Sequence, residues 1–98
     1  MQAVSIHSFA CKRTKAIWEG ETPPQFAAIA KQADKKLTQL DAAAALSDLK
    51  SPGNHLEALT KERRWRGYHS IRVNDQWRLC FRWTDVGPKD VQIVDYKH

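Results

Sequence analysis

Residues 68–83 read YHSIRVNDQWRLCFRW, and this stretch decides the fold because apolar and polar side chains alternate on both sides of a polar turn. Ile71 and Val73 are the apolar positions before the turn at 74–76, and the alternation resumes at Trp77. A period of two is typical of a strand with one buried face. The stretch therefore predicts an antiparallel hairpin.

The register of the hairpin follows from its apolar positions. Ile71 must share the core face with Leu79, because a slip of one residue would expose the whole apolar set. A three-residue loop meets this condition, and it places Arg72 directly opposite Arg78 on the other face. Like charges in that arrangement destabilise a hairpin by up to about 1 kcal/mol, whereas two guanidinium groups can converge on one phosphate. We expect such a clamp, with Arg82 further along the same face.

An alternative is that each of these arginines pairs with its own carboxylate, for instance that of Asp85, Asp90 or Asp95.

The positive charge of the chain is concentrated in one stretch. Of the 16 basic and 11 acidic residues, seven basic and two acidic ones lie within 61–82, and this surplus equals the net charge of +5. Aromatic side chains are interleaved with the arginines, which is the footprint expected for binding phosphates and unstacked bases. The alternative interpretation of this basic stretch is a solvated face on a pair of strands.

The rest of the chain predicts helices before the hairpin and one strand at each end. Residues 3–9 alternate weakly, residues 12–20 indicate a short helix, and Thr22 can cap a second helix. One face of that helix carries the apolar residues Phe26, Ile29, Ala30, Ala33, Leu37 and Leu40. Residues 91–96 form the last strand. The order β-α-α-β-β-β predicts an α+β fold over residues 1–98 as one domain, with a helix hairpin packed on a small, mostly antiparallel sheet.

Composition excludes several classes of protein. No apolar run approaches the roughly 20 residues of a membrane span, and the first residues do not resemble a signal peptide. Cys11 and Cys80 are expected to be free thiols, and the scattered histidines do not suggest a metal site. We expect a cytoplasmic protein with no membrane contact, no metal and no cofactor.

Three segments carry a family resemblance: PGNHLEAL at 52–59, SIRVNDQWRLCF at 70–81 and VDY at 94–96. They resemble the HigB toxins, or plasmid-maintenance killer proteins, of the RelE/ParE superfamily, and the likeness covers essentially the whole chain. The resemblance implies a RelE-like fold and the toxin of a type II toxin–antitoxin system. It further implies a ribosome-dependent endoribonuclease that cleaves messenger RNA and is neutralised by a helix-turn-helix antitoxin of the HigA type. Operator DNA would be reached only through that antitoxin.

The superfamily's chemistry assigns roles to the hairpin arginines. There the substrate's own 2′-hydroxyl attacks the adjacent phosphate without a metal, which requires a base, cationic donors and an acid. Arg72 and Arg78 match the family's hairpin arginines and would hold the scissile phosphate. Glu57 stands where some relatives carry a histidine and is a weaker candidate.

The C-terminal residues match the family pattern in part. Asp95 and Tyr96 match the first two residues of the family's Asp-Tyr-His ending, where the aspartate would fix a neighbour and the tyrosine would orient the phosphate or stack on a base. Lys97 takes the third place and His98 follows it. Either Lys97 supplies the cation, or His98 transfers the proton, because the ordinary pKa of histidine suits that task.

The loop before the hairpin also departs from the family pattern by its extra basic groups. Lys61, Arg63, Arg64 and Arg66, together with Arg82, are expected to contact ribosomal RNA in a salt-sensitive manner. Two other functions stay open at this point, since a fold does not define a function. One is a ParE-like toxin that inhibits DNA gyrase, and the other is an inactive protein that binds its antitoxin and acts as a co-repressor.

Overall fold

The computed structural model describes residues 5–95, in which helices and a four-stranded sheet share one hydrophobic core. The helical segments come first: α1 Lys12–Trp18, a 3-10 helix Pro24–Ile29, α2 Ala30–Ala42 and a 3-10 helix Leu46–Leu49. The strands follow: β1 Glu57–Leu59, β2 Tyr68–Arg72, β3 Trp77–Thr84 and β4 Gly87–Asp95, with a 3-10 turn Arg63–Trp65 before β2. The predicted α+β fold is confirmed, and the short β1 is an addition to it.

The four strands pair antiparallel in the order β1-β2-β3-β4. Ile71 lies opposite Leu79 and Arg72 lies opposite Arg78, so the predicted hairpin register is confirmed. At the tip, Oδ1 of Asn74 accepts two backbone N–H groups at 2.8 Å each. Asparagine favours tight turns because its side chain can replace a backbone acceptor in this way.

The N-terminal segment lies along the outer edge of β4. Phe9 forms a parallel bridge with Val91, and the backbone N–H of Val91 donates to the carbonyl of Ser8 at 3.1 Å. In residues 5–9, the described part of the predicted first strand, a single bridge to β4 therefore forms in place of a strand. Ala3 and Val4 lie outside the described residues.

The predicted apolar stripe of the second helix is buried. Its fully or nearly fully buried members are Phe26, Ile29, Ala33, Leu37 and Leu40. The prediction that Thr22 caps this helix is wrong. Pro23 occupies the cap position in an extended conformation, with ψ of 140°, and makes no side-chain cap bond. A residue before a proline is disfavoured in the helical region, so the helix begins only at Pro24, with a 3-10 segment.

The helices cover one face of the sheet and leave the other for a site. Ile71, Leu79 and Phe81 are fully buried on the core face. Since side chains alternate along a strand, Ser70 and Arg78 lie on the opposite face. Within residues 5–95, neither α-helix has the length and apolar content that a membrane crossing requires.

Candidate active site

A cleft of about 420 Å³ opens on the face of the sheet that the helices leave uncovered. β1, the connection from β1 to β2, and parts of β3 and β4 form its walls. Its charged lining residues are Glu57, Lys61, Glu62, Arg64, Arg78 and Asp95. Three cations and three carboxylates in one small cleft can bind an anion and also move a proton.

Among the charged residues that line this cleft, Arg78 is the one that is buried. Its side chain is only 8% exposed. Nε donates to Oγ of Ser70 at 2.7 Å, and Nη2 donates to the backbone carbonyl of His55 at 2.5 Å. A buried charge is tolerated only when it is paired and hydrogen-bonded. These acceptors therefore meet that need and fix the direction of the guanidinium plane.

Glu57 provides the carboxylate partner of Arg78. Its Oε1 lies 3.3 Å from Nη2 of Arg78, and its side chain is 45% exposed. The register explains the contact, because Glu57 of β1 lies opposite Ser70 of β2, and Ser70 is itself bonded to Arg78. The pair thus joins a buried, oriented cation to a carboxylate that a ligand in the cleft can reach.

The turn at 54–55 aims the carbonyl that holds Arg78. His55 has a left-handed backbone with φ of 48°, and the side chain of Asn54 is fully buried. Nδ2 of Asn54 donates to Gln39 Oε1 and to the carbonyl of Leu49 at 3.1 Å each. Nζ of Lys36 donates to Oδ1 of Asn54 at 2.5 Å. Helix α2 therefore anchors the turn, a role that the PGN sequence alone, predictive only of a chain break, did not reveal.

Aromatic and apolar groups form the other part of the cleft. Trp65 and Tyr68 meet edge to face with ring centroids 5.0 Å apart, and the Arg64 guanidinium lies 5.2 Å from the Trp65 ring centroid. Leu59 and Cys80 also line the cleft. Burial raises the pKa of the Cys80 thiol to about 11, so this sulfur stays protonated and neutral at physiological pH.

Comparison with known proteins identifies the family. The HigB-like toxin family model, described as the RelE-like toxin of the type II toxin–antitoxin system HigB, matches residues 8–97. This chain belongs to the HigB-like toxin family. The Vibrio cholerae serotype O1 (strain ATCC 39315 / El Tor Inaba N16961) Toxin HigB-1 is 54% identical over 65 residues, which make up 65% of this chain and 66% of that toxin.

The structure of this HigB-like toxin brings part of the predicted site together. Arg78, Asp95, Lys61 and Arg64 line one cleft. Oδ2 of Asp95 accepts a hydrogen bond from Nε2 of Gln76 at 3.0 Å. Tyr96, Lys97 and His98 lie outside the described residues, so their predicted roles stay predictions.

The two hairpin arginines do not converge in this HigB-like toxin. Arg72 is bonded to the carboxylate of Asp75, at the hairpin tip, whereas Arg78 turns towards β1. Each of the two arginines therefore has a carboxylate partner of its own, as in the alternative interpretation of the sequence. Of the carboxylates considered from sequence, that of Asp90 lies 3.8 Å from Nη1 of Arg82.

The remaining predicted RNA contacts lie beside the cleft. Arg63 and Arg66 are exposed residues of the loop between β1 and β2, and Arg82 is opposite Tyr68 on the strand pair. Sequence reasoning did not single out Ser70 or Asn54, because a buried serine or asparagine has no distinguishing pattern. Within residues 5–95, no three His, Cys, Asp or Glu side chains are close enough to hold a metal ion.

Proposed function

We propose that this chain is a ribosome-dependent endoribonuclease, which cleaves messenger RNA by attack of the substrate's 2′-hydroxyl on the adjacent phosphate. The observation that carries the proposal is Arg78, a buried and hydrogen-bonded guanidinium in the wall of a cleft, beside the accessible carboxylate of Glu57. An oriented donor of this kind can stabilise charge that develops in a transition state without reorganising.

The reaction needs one proton acceptor near the phosphate. Arg78 would bind a non-bridging oxygen of the scissile phosphate, and Glu57, 3.3 Å from that guanidinium, would take the proton of the 2′-hydroxyl. The 2′ oxygen then bonds to phosphorus and the bond to the 5′ oxygen breaks. The products are a 2′,3′-cyclic phosphate and a 5′-hydroxyl.

The leaving 5′ oxygen must receive a proton, and the family resemblance assigns this step to the C-terminus. His98 or Lys97 would supply the proton, and Tyr96 would orient the phosphate or stack on a base. Asp95, which lines the cleft, would fix a neighbouring group. No cofactor takes part in this scheme.

Arg72 would supply the second cation of the clamp. Its pair with Asp75 is an exposed one, with side chains 36% and 84% exposed. Exposed ion pairs contribute at most about 1 kcal/mol. A phosphate can therefore displace Asp75 at little cost, and the opposite position of Arg72 and Arg78 in the register allows both to approach one phosphodiester.

The basic residues that line the cleft or lie beside it support binding to ribosomal RNA. These are Lys61, Arg63, Arg64, Arg66 and Arg82. Such contacts would make binding to ribosomes weaken steeply with salt, because each neutralised phosphate releases counterions. A messenger RNA target also places the activity in the cytoplasm.

Membership of a toxin–antitoxin family supports an antitoxin as the second partner. We infer a helix-turn-helix antitoxin of the HigA type, through which alone the toxin would reach operator DNA. Antitoxin binding would also provide a check of folding for variants that lose activity.

The decisive test uses purified 70S ribosomes with a defined codon in the A site. We expect cleavage of an all-ribose messenger and a 2′,3′-cyclic phosphate end, and no cleavage when the nucleotide before the scissile bond is 2′-deoxy. Cleavage of the deoxy message would contradict the 2′-hydroxyl mechanism. Growth arrest with intact messenger would contradict the nuclease and favour a protein target such as DNA gyrase.

A further inference from the structure

We propose that Trp65 is the base-binding element of the cleft, where its indole ring stacks on an unstacked nucleobase next to the phosphate held by Arg78. The inference rests on the proposed function, and it identifies a nucleobase as the group that the cleft recognises.

Trp65 shares the cleft with the proposed reaction centre. It lines the same cavity as Glu57 and Arg78. Along β1, Leu59 follows Glu57 by two residues, which is about 7 Å, and the chain then continues into the turn that carries Trp65. A nucleotide whose phosphate lies at Arg78 can thus extend its base over the apolar part of the cleft.

Core packing does not account for the position of Trp65. The other three tryptophans, Trp18, Trp77 and Trp83, pack against the hydrophobic core. Among the described residues, Trp65 does not belong to the set that packs there. A large aromatic ring beside an open cleft, away from the core, is typical of binding surfaces.

The Trp65 ring is held in place before any ligand binds. Tyr68 meets it edge to face at 5.0 Å and 88°, and the Trp65 backbone N–H donates to the carbonyl of Glu62 at 3.1 Å. A ring that is already ordered loses little freedom on binding. The Arg64 guanidinium lies over the ring, 5.2 Å from its centroid, and pairs with Glu62 at 3.4 Å. Both contacts of Arg64 are exposed, so a base can take its place on the ring while Arg64 moves to the phosphate of the stacked nucleotide.

The test measures binding apart from cleavage. Labelled toxin is titrated with 70S ribosomes whose A-site messenger carries a 2′-deoxy nucleotide before the scissile bond, and the Kd is obtained from fluorescence anisotropy. The titration is repeated with single abasic nucleotides in the A-site codon. We expect Trp65→Leu to weaken binding about tenfold and Trp65→Phe to weaken it much less, because a base stacks on any aromatic face.

Coupling between protein and base provides the sharpest outcome. At one codon position, removal of the base should weaken wild-type binding about as much as Trp65→Leu does, and the two changes together should weaken it no further. Independent, multiplicative losses at every position, or an unchanged Kd for Trp65→Leu, would overturn the inference. Urea unfolding of each variant excludes a folding defect.

Failure of this inference is distinguishable from failure of the proposed function. Wild-type toxin that cleaves the all-ribose message while Trp65 shows no coupling to a base contradicts only the stacking role. Wild-type toxin that neither cleaves nor binds programmed ribosomes contradicts both.

Discussion

Arg72 and Arg78 lie directly opposite each other on β2 and β3, yet their guanidinium groups have different partners and different exposure. The Arg78 side chain is 8% exposed and the Arg72 side chain 36%. Ser70 accepts a hydrogen bond from Arg78, whereas Asp75, near the hairpin tip, accepts one from Arg72. One cation is thus fixed in place and the other is accessible for exchange with a ligand.

This difference predicts unequal effects of conservative substitutions on single-turnover cleavage by the ribosome-bound toxin. Arg78→Lys should lower the rate by about 10²- to 10³-fold, the usual effect of losing an oriented transition-state donor, because an ammonium group cannot reproduce the planar fork. Arg72→Lys should lower it far less, since its role depends mainly on charge. Arg78→Ala should abolish toxicity and leave antitoxin binding intact. Normal cleavage by Arg78→Lys would show that Arg78 has only a structural role.

The hairpin could be predicted from sequence because its determinants are local. Alternation with a period of two leaves one register that buries Ile71 with Leu79, and the position of Arg72 opposite Arg78 follows from it. The directions of the two guanidinium groups could not be predicted in the same way. That of Arg78 depends on Glu57 and on the His55 carbonyl, which belong to β1 and to the turn before it, more than 20 residues away in sequence.

The elements that sequence did not predict are those that tertiary contacts define. β1 has three residues with mostly exposed side chains and becomes a strand only by pairing with β2. The buried role of Asn54 depends on the distance between the PGN turn and helix α2. Asparagine in such a turn is ordinarily exposed, so its pattern gave no signal of burial.

Asn54 should be a strong determinant of stability. Asn54→Ala removes the partner of the Leu49 carbonyl and of Lys36 Nζ, and we expect a loss of about 1–3 kcal/mol in the free energy of unfolding. His55→Asn is the matched control, because its side chain is exposed and asparagine tolerates a positive φ. Urea unfolding measures both; equal midpoints would contradict the anchoring role of Asn54.

The N-terminal segment packs closely against Gly87. A Cβ added there would lie 2.2 Å from the carbonyl oxygen of Ser5, and φ is +118°. Gly87→Ala should therefore destabilise the fold by more than Gly53→Ala, which has φ of +90° but no atom within 4 Å of its added Cβ. Thermal unfolding compares the two variants, because Gly53→Ala introduces backbone strain alone and Gly87→Ala introduces backbone strain together with a steric clash. A Gly53→Ala midpoint as low as that of Gly87→Ala would contradict the close approach.

His69 should make stability dependent on pH. Burial lowers the pKa of His69 below the usual 6.5, and its buried Nδ1 has no hydrogen-bond partner within residues 5–95. The unfolded chain then binds a proton below about pH 6.5 that the folded chain resists, so stability falls as pH drops through that range.

The His69 effect can be isolated by substitution. His69→Phe retains a ring beside Phe81 and should flatten the dependence of unfolding free energy on pH between 7.5 and 5, whereas His7→Gln, at an exposed position, should not. A slope unchanged by His69→Phe would assign the effect to other groups.

Messenger cleavage in the cell should depend directly on Arg78 and on the C-terminal residues. Primer extension on a reporter messenger after brief induction compares wild type with Arg78→Lys, Lys97→Ala and His98→Ala. We expect cuts inside the reading frame with wild type, none with Arg78→Lys, and loss of cuts in whichever terminal variant removes the proton donor. Growth arrest with an intact messenger, or undiminished cuts with Arg78→Lys, would contradict this expectation.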